Sequence, residues 1–263
     1  MEPVLVSLEA AHFPGVLRIT LNRPEKLNAF NPAVHKGLAA AMAQAESDGA
    51  VRCLLITGAG RGFCAGQDLT ERDMKATAID LGAGLEAWYN PLIKRMRALP
   101  KPIVCAVNGV AAGAGANFAL ACDIVLAARS ASFIQAFVKI GLVPDCGGSY
   151  FLPRLAGTQR AMALAMTGGR LSAEDAERWG LIWKCVEDAQ LSMEAEKLAL
   201  ALAEGPTRSL GLIKQAMYAS ANNTLAEQLD MERDLQREVG KGEDYREGVA
   251  AFLEKRSPAF TGK

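Results

Sequence analysis

An aspartate in an apolar, glycine-rich setting is the residue of this chain whose surroundings best suit proton transfer. Asp145 lies in the segment GLVPDCGGS at residues 141–149, between a proline and a cysteine–glycine–glycine turn. Burial in such surroundings disfavours the charged carboxylate and raises its pKa, which suits a proton carrier near neutral pH. The alternative is structural, because Asp145 could cap a helix that starts near Ser149 or close a turn through its side chain. The residue types alone leave both interpretations open.

Two glycine-rich segments could present backbone N–H groups to a negatively charged oxygen. Residues 61–69 read RGFCAGQDL, and residues 108–122 read NGVAAGAGANFALAC. Glycine lets the backbone approach a ligand closely, and the second segment leads into an apolar helix whose first N–H groups lack partners within the helix. Its spacing matches neither a dinucleotide-binding fingerprint nor a phosphate-binding loop. A surface turn and close helix packing are the structural alternatives for these two segments.

The histidines and cysteines form no pattern that predicts a metal site or a nucleophilic triad. His12 and His35 are far in sequence from any cysteine pair, and none of the six cysteines belongs to a C-x-x-C motif. Most cysteines lie in apolar runs such as CLLIT and IVCAV, where the side chain behaves as a small hydrophobe. We therefore expect reduced cysteines, a cytoplasmic protein and no bound metal.

The bulk composition is that of a globular chain without a general affinity for polyanions. Of 263 residues, 50% are apolar and 22% are charged, and 29 basic residues balance 29 acidic ones. The zero net charge predicts no nucleic-acid partner, so an anionic ligand would be held by local cations. The N-terminal MEPVLVSLEA lacks the basic region of a signal peptide, and the longest apolar run is interrupted by polar residues. We therefore expect no membrane partner.

The positioning elements alternate between strands and helices, which predicts an α/β fold with a largely parallel sheet. Short apolar runs predict strands at 4–8, 16–21, 53–57, 103–107 and 124–127. Asn31 and Pro32 open a helix, another lies near 84–99, and a glycine-rich turn is predicted at 109–115. After residue 181 the strands fade and only helices are predicted. We divide the chain into a core at 1–190 and a helical C-terminal oligomerisation segment at 191–263.

Several segments, taken in order, resemble the crotonase superfamily, also called the enoyl-CoA hydratase/isomerase family. They are NRPEKLNAF, RGFCAGQDL, the KP-x-V-x-A-V-N-G-V-A-A-G-A-G run, the PDCGG turn and the ending DYREGVAAFLEKRSPAFTGK. The resemblance covers essentially the whole chain. It implies a crotonase-like spiral of ββα turns with a helical C-terminal segment, assembled as homotrimers or dimers of trimers.

The resemblance also implies which residues hold an acyl-coenzyme A thioester. The backbone N–H groups of Gln67 and Ala114 would form an oxyanion hole, which stabilises the enolate formed when a thioester loses an α-proton. The residues expected to bind the substrate are Lys26, Leu27, Asn28, Ala65, Gly66, Asp68, Leu69 and Gly113. Coenzyme A would then be part of the substrate, and no separate cofactor is expected.

The acid–base positions depart from the hydratases of this family. The two glutamates that hydratases use align with Asn117 and Phe137, whereas Asp145 stands where they carry glycine. A single carboxylate suits proton transfer within one substrate, so the resemblance implies an isomerase. The phrases FCAGQDL, YNPL, GLVPDCGG and KRSPAFTGK are similar to family members that convert the ring epoxide of an aromatic acyl-CoA to a seven-membered oxepin, in a pathway that suggests a hydratase partner.

Other assignments remain open at the level of sequence. They are a general Δ3,Δ2-enoyl-CoA isomerase, a dehalogenase with Asp145 as nucleophile, and a non-catalytic scaffold of a crotonase complex. An intact AGQD loop (residues 65–68), an intact GAG turn (residues 113–115) and Asp145 argue against the scaffold.

Overall fold

The computed structural model describes residues 2–8, 12–71 and 80–263, and within these ranges the chain folds around two β-sheets. The larger sheet has, in order across it, the strands β1 (Val4–Leu8), β2 (Val16–Leu21), β3 (Cys53–Gly58), β5 (Ile103–Val107), β7 (Ile124–Ala128) and β10 (Lys184–Val186). The smaller sheet has the strands β4 (Gly62–Cys64), β6 (Val110–Ala112), β8 (Ser132–Ile134) and β9 (Arg170–Ser172).

The chain visits both sheets in each successive turn, so that β3 leads to β4, β5 to β6 and β7 to β8. The strands β3, β5 and β7 are parallel neighbours in the larger sheet, and β4, β6 and β8 are parallel neighbours in the smaller one. Each turn therefore stacks on the turn before it. This arrangement confirms the predicted spiral, and the antiparallel pairs β1–β2 and β8–β9 lie at its margins.

Helices complete the turns of the spiral and form the C-terminal part. They are α1 (Pro32–Ser47), α2 (Leu81–Gly84), α3 (Asn90–Ala98), α4 (Ala114–Leu120), α5 (Gly148–Ala156), α6 (Thr158–Thr167), α7 (Ala173–Arg178), α8 (Leu191–Glu204), α9 (Thr207–Ala219), α10 (Leu225–Val239) and α11 (Glu243–Glu254). As predicted, the side chain of Asn31 caps α1 by accepting the N–H of Val34. Leu85–Tyr89 is a π-helical turn between α2 and α3, which fits the lack of an N–H on Pro91 just beyond it.

The core lies between the larger sheet and the helices that cover it. Leu17, Leu54 and Val104 on the central strands are fully buried, and α8 adds the buried side chains of Ala195 and Ala199. Strands covered in this way need near-continuous apolar sequence, as the runs CLLIT and IVCAV provide.

A buried ion pair ties the C-terminal helices to the spiral. Lys214 of α9 lies 2.9 Å from the carboxylate of Asp123 and donates to the carbonyl oxygen of Met96 at 2.8 Å. Tyr218 donates its hydroxyl to the same carboxylate. Burial lowers the pKa of the Lys214 ammonium, and Asp123 opposes that shift. Breaking such a pair leaves an uncompensated buried charge, so α9 is firmly attached to the core.

The sequence prediction was incomplete where strands are short. The predicted turn at 109–115 contains β6 and the start of α4, and β10 lies beyond residue 181, where no strand was expected. Three residues are too few for an alternating pattern to be recognised. Their pairing with distant strands stabilises them, which local sequence does not reveal.

Candidate active site

The segment that contains Lys26, Leu27 and Asn28 is a tight turn held by a buried amide. Leu27 and Asn28 adopt positive φ angles of 46° and 57°, which are uncommon outside glycine. The Asn28 side chain is fully buried; its Nδ2 donates to the carbonyl oxygens of Ala59 at 2.9 Å and Gly62 at 2.8 Å. Ala65 donates its N–H to the Leu27 carbonyl oxygen at 2.9 Å, so this turn and the AGQD loop are one hydrogen-bonded unit.

The AGQD loop directs one N–H group away from the protein backbone that supports it. Phe30 donates to the carbonyl oxygen of Gly66 at 2.7 Å and accepts the N–H of Asp68 at 2.8 Å. Because successive N–H groups of an extended segment point to opposite sides, the N–H of Gln67 between them faces away from Phe30. It has no acceptor in the described part of the chain.

A second unused N–H group lies directly beside this loop. Ala114 is the first residue of α4, where an N–H has no partner within the helix. Gly66 has a φ of +89°, and a β-carbon there would lie 2.8 Å from the Ala112 carbonyl oxygen and 3.4 Å from the Ala114 nitrogen. Gly113 is fixed by donating to the carbonyl oxygen of Ile134 at 2.8 Å. The structure thus brings together Gln67 and Ala114, which are far apart in sequence.

The side chain of Gln67 is anchored and leaves its backbone in place. Its Nε2 donates to the Phe30 carbonyl oxygen at 3.1 Å, and the Tyr89 hydroxyl donates to its Oε1 at 2.7 Å. Tyr89 belongs to an aromatic cluster in which His35 stacks between Phe30 and Trp88. Burial lowers the pKa of His35 to about 4. The neutral imidazole therefore serves as a flat apolar ring in this cluster at neutral pH.

Asp68 and its neighbours form the outer end of the loop. The Asp68 carboxylate is buried, lies 2.9 Å from Arg23 and accepts hydrogen bonds from the N–H and hydroxyl of Thr70. The Thr70 hydroxyl, together with Arg23, holds the pKa of that carboxyl below its ordinary value. Lys26 and Leu69 are exposed nearby, with Lys26 Nζ 3.4 Å from the Thr70 hydroxyl. A cation at this edge could meet an anionic group of a ligand.

Asp145 occupies a half-buried position in a turn that adjoins α4. Its carbonyl oxygen accepts the N–H of Gly148 and the Nδ2 of Asn117, both at 2.8 Å. Cys146, which follows, has a φ of +53°. The N-cap of α5 is Gly147, which has no side chain that could cap the helix. The backbone of Asp145 therefore takes part in the turn that precedes α5.

The two positions that the family resemblance aligns with the acids of hydratases hold an amide and an aromatic ring. Asn117 is fully buried on α4, and its Oδ1 accepts a hydrogen bond from the buried Gln135 at 2.9 Å. Phe137 is also buried, and its Cζ lies 3.7 Å from the place of a β-carbon on Gly113. An apolar ring thus lies beside the turn that carries the Ala114 N–H.

Two contacts of the site were missed by sequence reasoning. They are the Tyr89–Gln67 hydrogen bond and the chain of amides from Gln135 through Asn117 to Asp145. A polar residue in the apolar run AGANFAL could have indicated the second contact, because a buried amide needs partners. Nothing in the local sequence indicates the first.

Two further kinds of feature are absent from the described residues. There, no three residues among His, Cys, Asp and Glu are grouped so that they could hold a metal ion. No described helix combines the length and apolar character needed to cross a membrane.

Comparison with known proteins shows the family to which this fold belongs. The model of the enoyl-CoA hydratase/isomerase family matches residues 12–263. The chain belongs to that family, the crotonase superfamily. A crystal structure of an enoyl-CoA hydratase from Bacillus anthracis has a TM-score of 0.92 and 32% sequence identity, covering 99% of this chain and 100% of that one.

The relatives of this chain include proteins named as isomerases and others named as probable enoyl-CoA hydratases. The chain is 60% identical to 1,2-epoxyphenylacetyl-CoA isomerase of Escherichia coli over 251 residues, which is 95% of this chain and 96% of that protein. It is 38% identical to trans-2-decenoyl-[acyl-carrier-protein] isomerase of Streptococcus mutans, over 95% of both chains. These similarities support isomerase chemistry, in agreement with the absence of an acid at Asn117 and Phe137.

Proposed function

We propose that this protein isomerises acyl-CoA thioesters, and that its main reaction converts 1,2-epoxyphenylacetyl-CoA to the oxepin thioester of phenylacetate breakdown. One structural observation carries the proposal. The N–H groups of Gln67 and Ala114, without acceptors in the described chain, lie on adjoining backbone beside the turn of Asp145. The Escherichia coli relative supports the choice of substrate.

The two N–H groups would bind the thioester oxygen. When the carbon next to the thioester loses a proton, negative charge moves to that oxygen, and fixed donors stabilise it without reorganisation. Removing one such donor typically costs about 3–4 kcal/mol of barrier. Coenzyme A itself would be held at Lys26, Leu27, Asn28, Ala65, Gly66, Asp68, Leu69 and Gly113 as part of the substrate, with no separate cofactor.

Asp145 would take the proton from the α-carbon of the acyl group and return it to another carbon of the same substrate. In the epoxide, the bond between the two epoxide carbons opens while the ring double bonds rearrange, so the product has the same atoms as the substrate. No water is added and no oxidant is required. One carboxylate suffices for this cycle, whereas hydration needs a second group to activate water.

The identities of Asn117 and Phe137 support isomerisation over hydration. The Asn117 amide cannot accept a proton, and its two polar ends are already bonded to Gln135 and Asp145. The ring of Phe137 lies beside Gly113. A water molecule needs polar partners to be held in place, and this ring offers none.

A second activity of the same site is a shift of a double bond in a Δ3-enoyl-CoA to the Δ2 position. It uses the same enolate and the same proton carrier. The Streptococcus mutans relative is named trans-2-decenoyl-[acyl-carrier-protein] isomerase, and isomerisation of an enoyl group carried in this way favours the activity.

We further propose that the C-terminal helices join subunits into a homotrimer or a dimer of trimers. A groove of about 720 Å³ between α9, α10 and α11 is lined by exposed apolar side chains, with Met217, Phe252 and Leu253 each more than 60% exposed. A patch of this kind favours association. The division at residue 190, with an oligomerisation segment at 191–263, is part of this proposal, as is a complex with an enoyl-CoA hydratase that would act on neighbouring intermediates.

A substrate panel tests the proposed function. The purified protein is incubated with enzymatically generated 1,2-epoxyphenylacetyl-CoA, a 3-enoyl-CoA and a trans-2-enoyl-CoA, and products are followed by chromatography with mass detection. We expect products of unchanged mass from the first two thioesters and no water adduct from the third. Rapid hydration of the trans-2-enoyl-CoA, or no change in any thioester, would contradict the proposal.

A further inference from the structure

Asn117 is an unusual residue for its position. Every residue of α4 is buried, and Asn117 is the polar member of the run AGANFAL. Asparagine is a weak helix former, and burying an amide is unfavourable unless both of its ends are hydrogen-bonded. Asn117 is therefore unfavourable both for helix formation and for burial, and such a residue is expected to have a specific role.

The two ends of the Asn117 amide connect separate parts of the site. Its Oδ1 accepts from Gln135 Nε2 at 2.9 Å, and its Nδ2 donates to the Asp145 carbonyl oxygen at 2.8 Å. Gln135 is itself almost fully buried. The bond from Gln135 therefore fixes which end of the amide points at Asp145, because an amide oxygen accepts and its NH₂ group donates.

The fit around this amide is close. A β-carbon on Gly148 would lie 2.2 Å from Asn117 Nδ2, and Gly148 also donates to the Asp145 carbonyl oxygen. That carbonyl thus receives two donors, one from α4 and one from the start of α5. The positive φ of Cys146 immediately after it is a conformation that persists only when surrounding contacts hold it.

We infer that Asn117 is a positioning residue, which holds the backbone of Asp145 at a fixed place relative to the N–H of Ala114. Both contacts originate on α4, since Ala114 is its first residue and Asn117 lies one turn further on. The helix thereby sets the separation between the donor for the thioester oxygen and the proton carrier. This inference rests on the proposed function and adds to it a residue that touches no substrate.

A carboxylate at position 117 would not form the same two hydrogen bonds as the Asn117 amide. An aspartate would keep the shape and still accept from Gln135, but it would set an oxygen against the Asp145 carbonyl oxygen. Because a protonated carboxyl could still donate to that oxygen, Asn117→Asp removes the contact to Asp145 only in its ionised form, and its kcat is therefore measured over a range of pH. Gln135→Met removes the bond that orients the amide and leaves Asn117 in place.

A double-mutant cycle tests the inference with the thioesters of the substrate panel. Kinetic constants are measured for wild type, Asn117→Ala, Asp145→Asn and the double variant, with Asn117→Asp and Gln135→Met as milder changes. Leu120→Ala on the same helix is the matched control, because it shortens a buried side chain that forms no hydrogen bond to Asp145. Circular dichroism verifies that each variant is folded.

The expected result is a roughly 100-fold fall in kcat for Asn117→Ala with little change in KM, as displacement of a reacting group by about 1 Å produces. Asn117→Asp shows the same fall, and Gln135→Met a smaller one. In the Asp145→Asn background, loss of Asn117 has little further effect, because the two residues act through one step. Leu120→Ala keeps its kcat.

Three outcomes overturn the inference. The first is wild-type kcat in folded Asn117→Asp at the high end of the pH range, where its carboxyl is ionised. The second is a fall that adds in full to that of Asp145→Asn, which would indicate a general structural role. The third is an inactive wild type, in which case the proposed function fails and this inference fails with it. If Asn117→Ala does not fold, Asn117→Asp and Gln135→Met decide between the first outcome and the expected one.

Discussion

Single side chains decide which acid–base chemistry this family fold can perform. The backbone donors at Gln67 and Ala114 are independent of side-chain identity, so the reaction depends on which carboxylates stand beside them. Asp145 is the acid that the structure places next to α4, whereas Asn117 is occupied by hydrogen bonds and Phe137 is apolar. Residue types alone made Asp145 a candidate and left a structural role equally open, and the resemblance to the family was needed to favour the proton carrier.

The buried imidazole of His35 predicts a pH dependence of stability. Its pKa is about 4 when folded and 6.5 in its ordinary state, so between these values the unfolded chain binds a proton that the folded chain does not. Its contribution to stability is complete above pH 6.5 and is lost as the pH falls toward 4. We expect His35→Phe, which preserves the stacked ring, to flatten the fall in melting temperature over this window. Parallel curves for wild type and His35→Phe would contradict the assignment.

At the level of elements, the site depends on contacts between loops that are remote in sequence. The ends of β4 and β6 deliver the AGQD loop and the start of α4 to one place, and Asn28 and Phe30 bond to the strand ends and loop from outside. The glycine-rich composition of both loops made them recognisable as ligand-binding candidates. Their mutual contact was not predictable from composition, because it follows from the parallel stacking of three-residue strands.

Gly66→Ala tests whether the AGQD loop must approach α4 closely. The new β-carbon would lie 2.8 Å from the Ala112 carbonyl oxygen at a φ of +89°, so the loop has to move. We expect kcat to fall by roughly 100- to 1,000-fold, as when an oxyanion donor is lost. Gly49→Ala, at an exposed position with open space around it, is the control and should keep full activity. Steady-state kinetics on the epoxide thioester measure both, and an active Gly66→Ala would mean that the loop is not the donor.

For the whole molecule, the C-terminal helices fall into an attached part and an exposed part. The helix α8 contributes to the core and α9 is tied down by Lys214, while α10 and α11 border the apolar groove. The helical character of this region was readable from its periodicity. The anchoring of α9 was not, because it depends on an ion pair with Asp123, which lies about ninety positions earlier in the chain.

Phe252→Glu tests the proposed assembly. Phe252 is 83% exposed and lines the groove, so a charge there should leave the folded subunit intact and prevent its burial against a second subunit. We expect sedimentation velocity to show trimers or hexamers for wild type and monomers for the variant. Arg246→Gln on the same helix changes the net charge equally and should stay assembled. A wild type that sediments as a monomer would refute the assembly.

The central claim is that Asp145 carries the proton while two backbone N–H groups hold the thioester oxygen. Its most direct test is kcat for conversion of 1,2-epoxyphenylacetyl-CoA by wild type and by Asp145→Asn, which has nearly the same shape but cannot accept a proton. We predict a loss of roughly 100- to 10,000-fold for the variant, the usual range for a general acid–base group. KM should change little and the circular dichroism spectrum should be unaltered. A folded Asp145→Asn that converts the thioester at the wild-type rate would contradict the account.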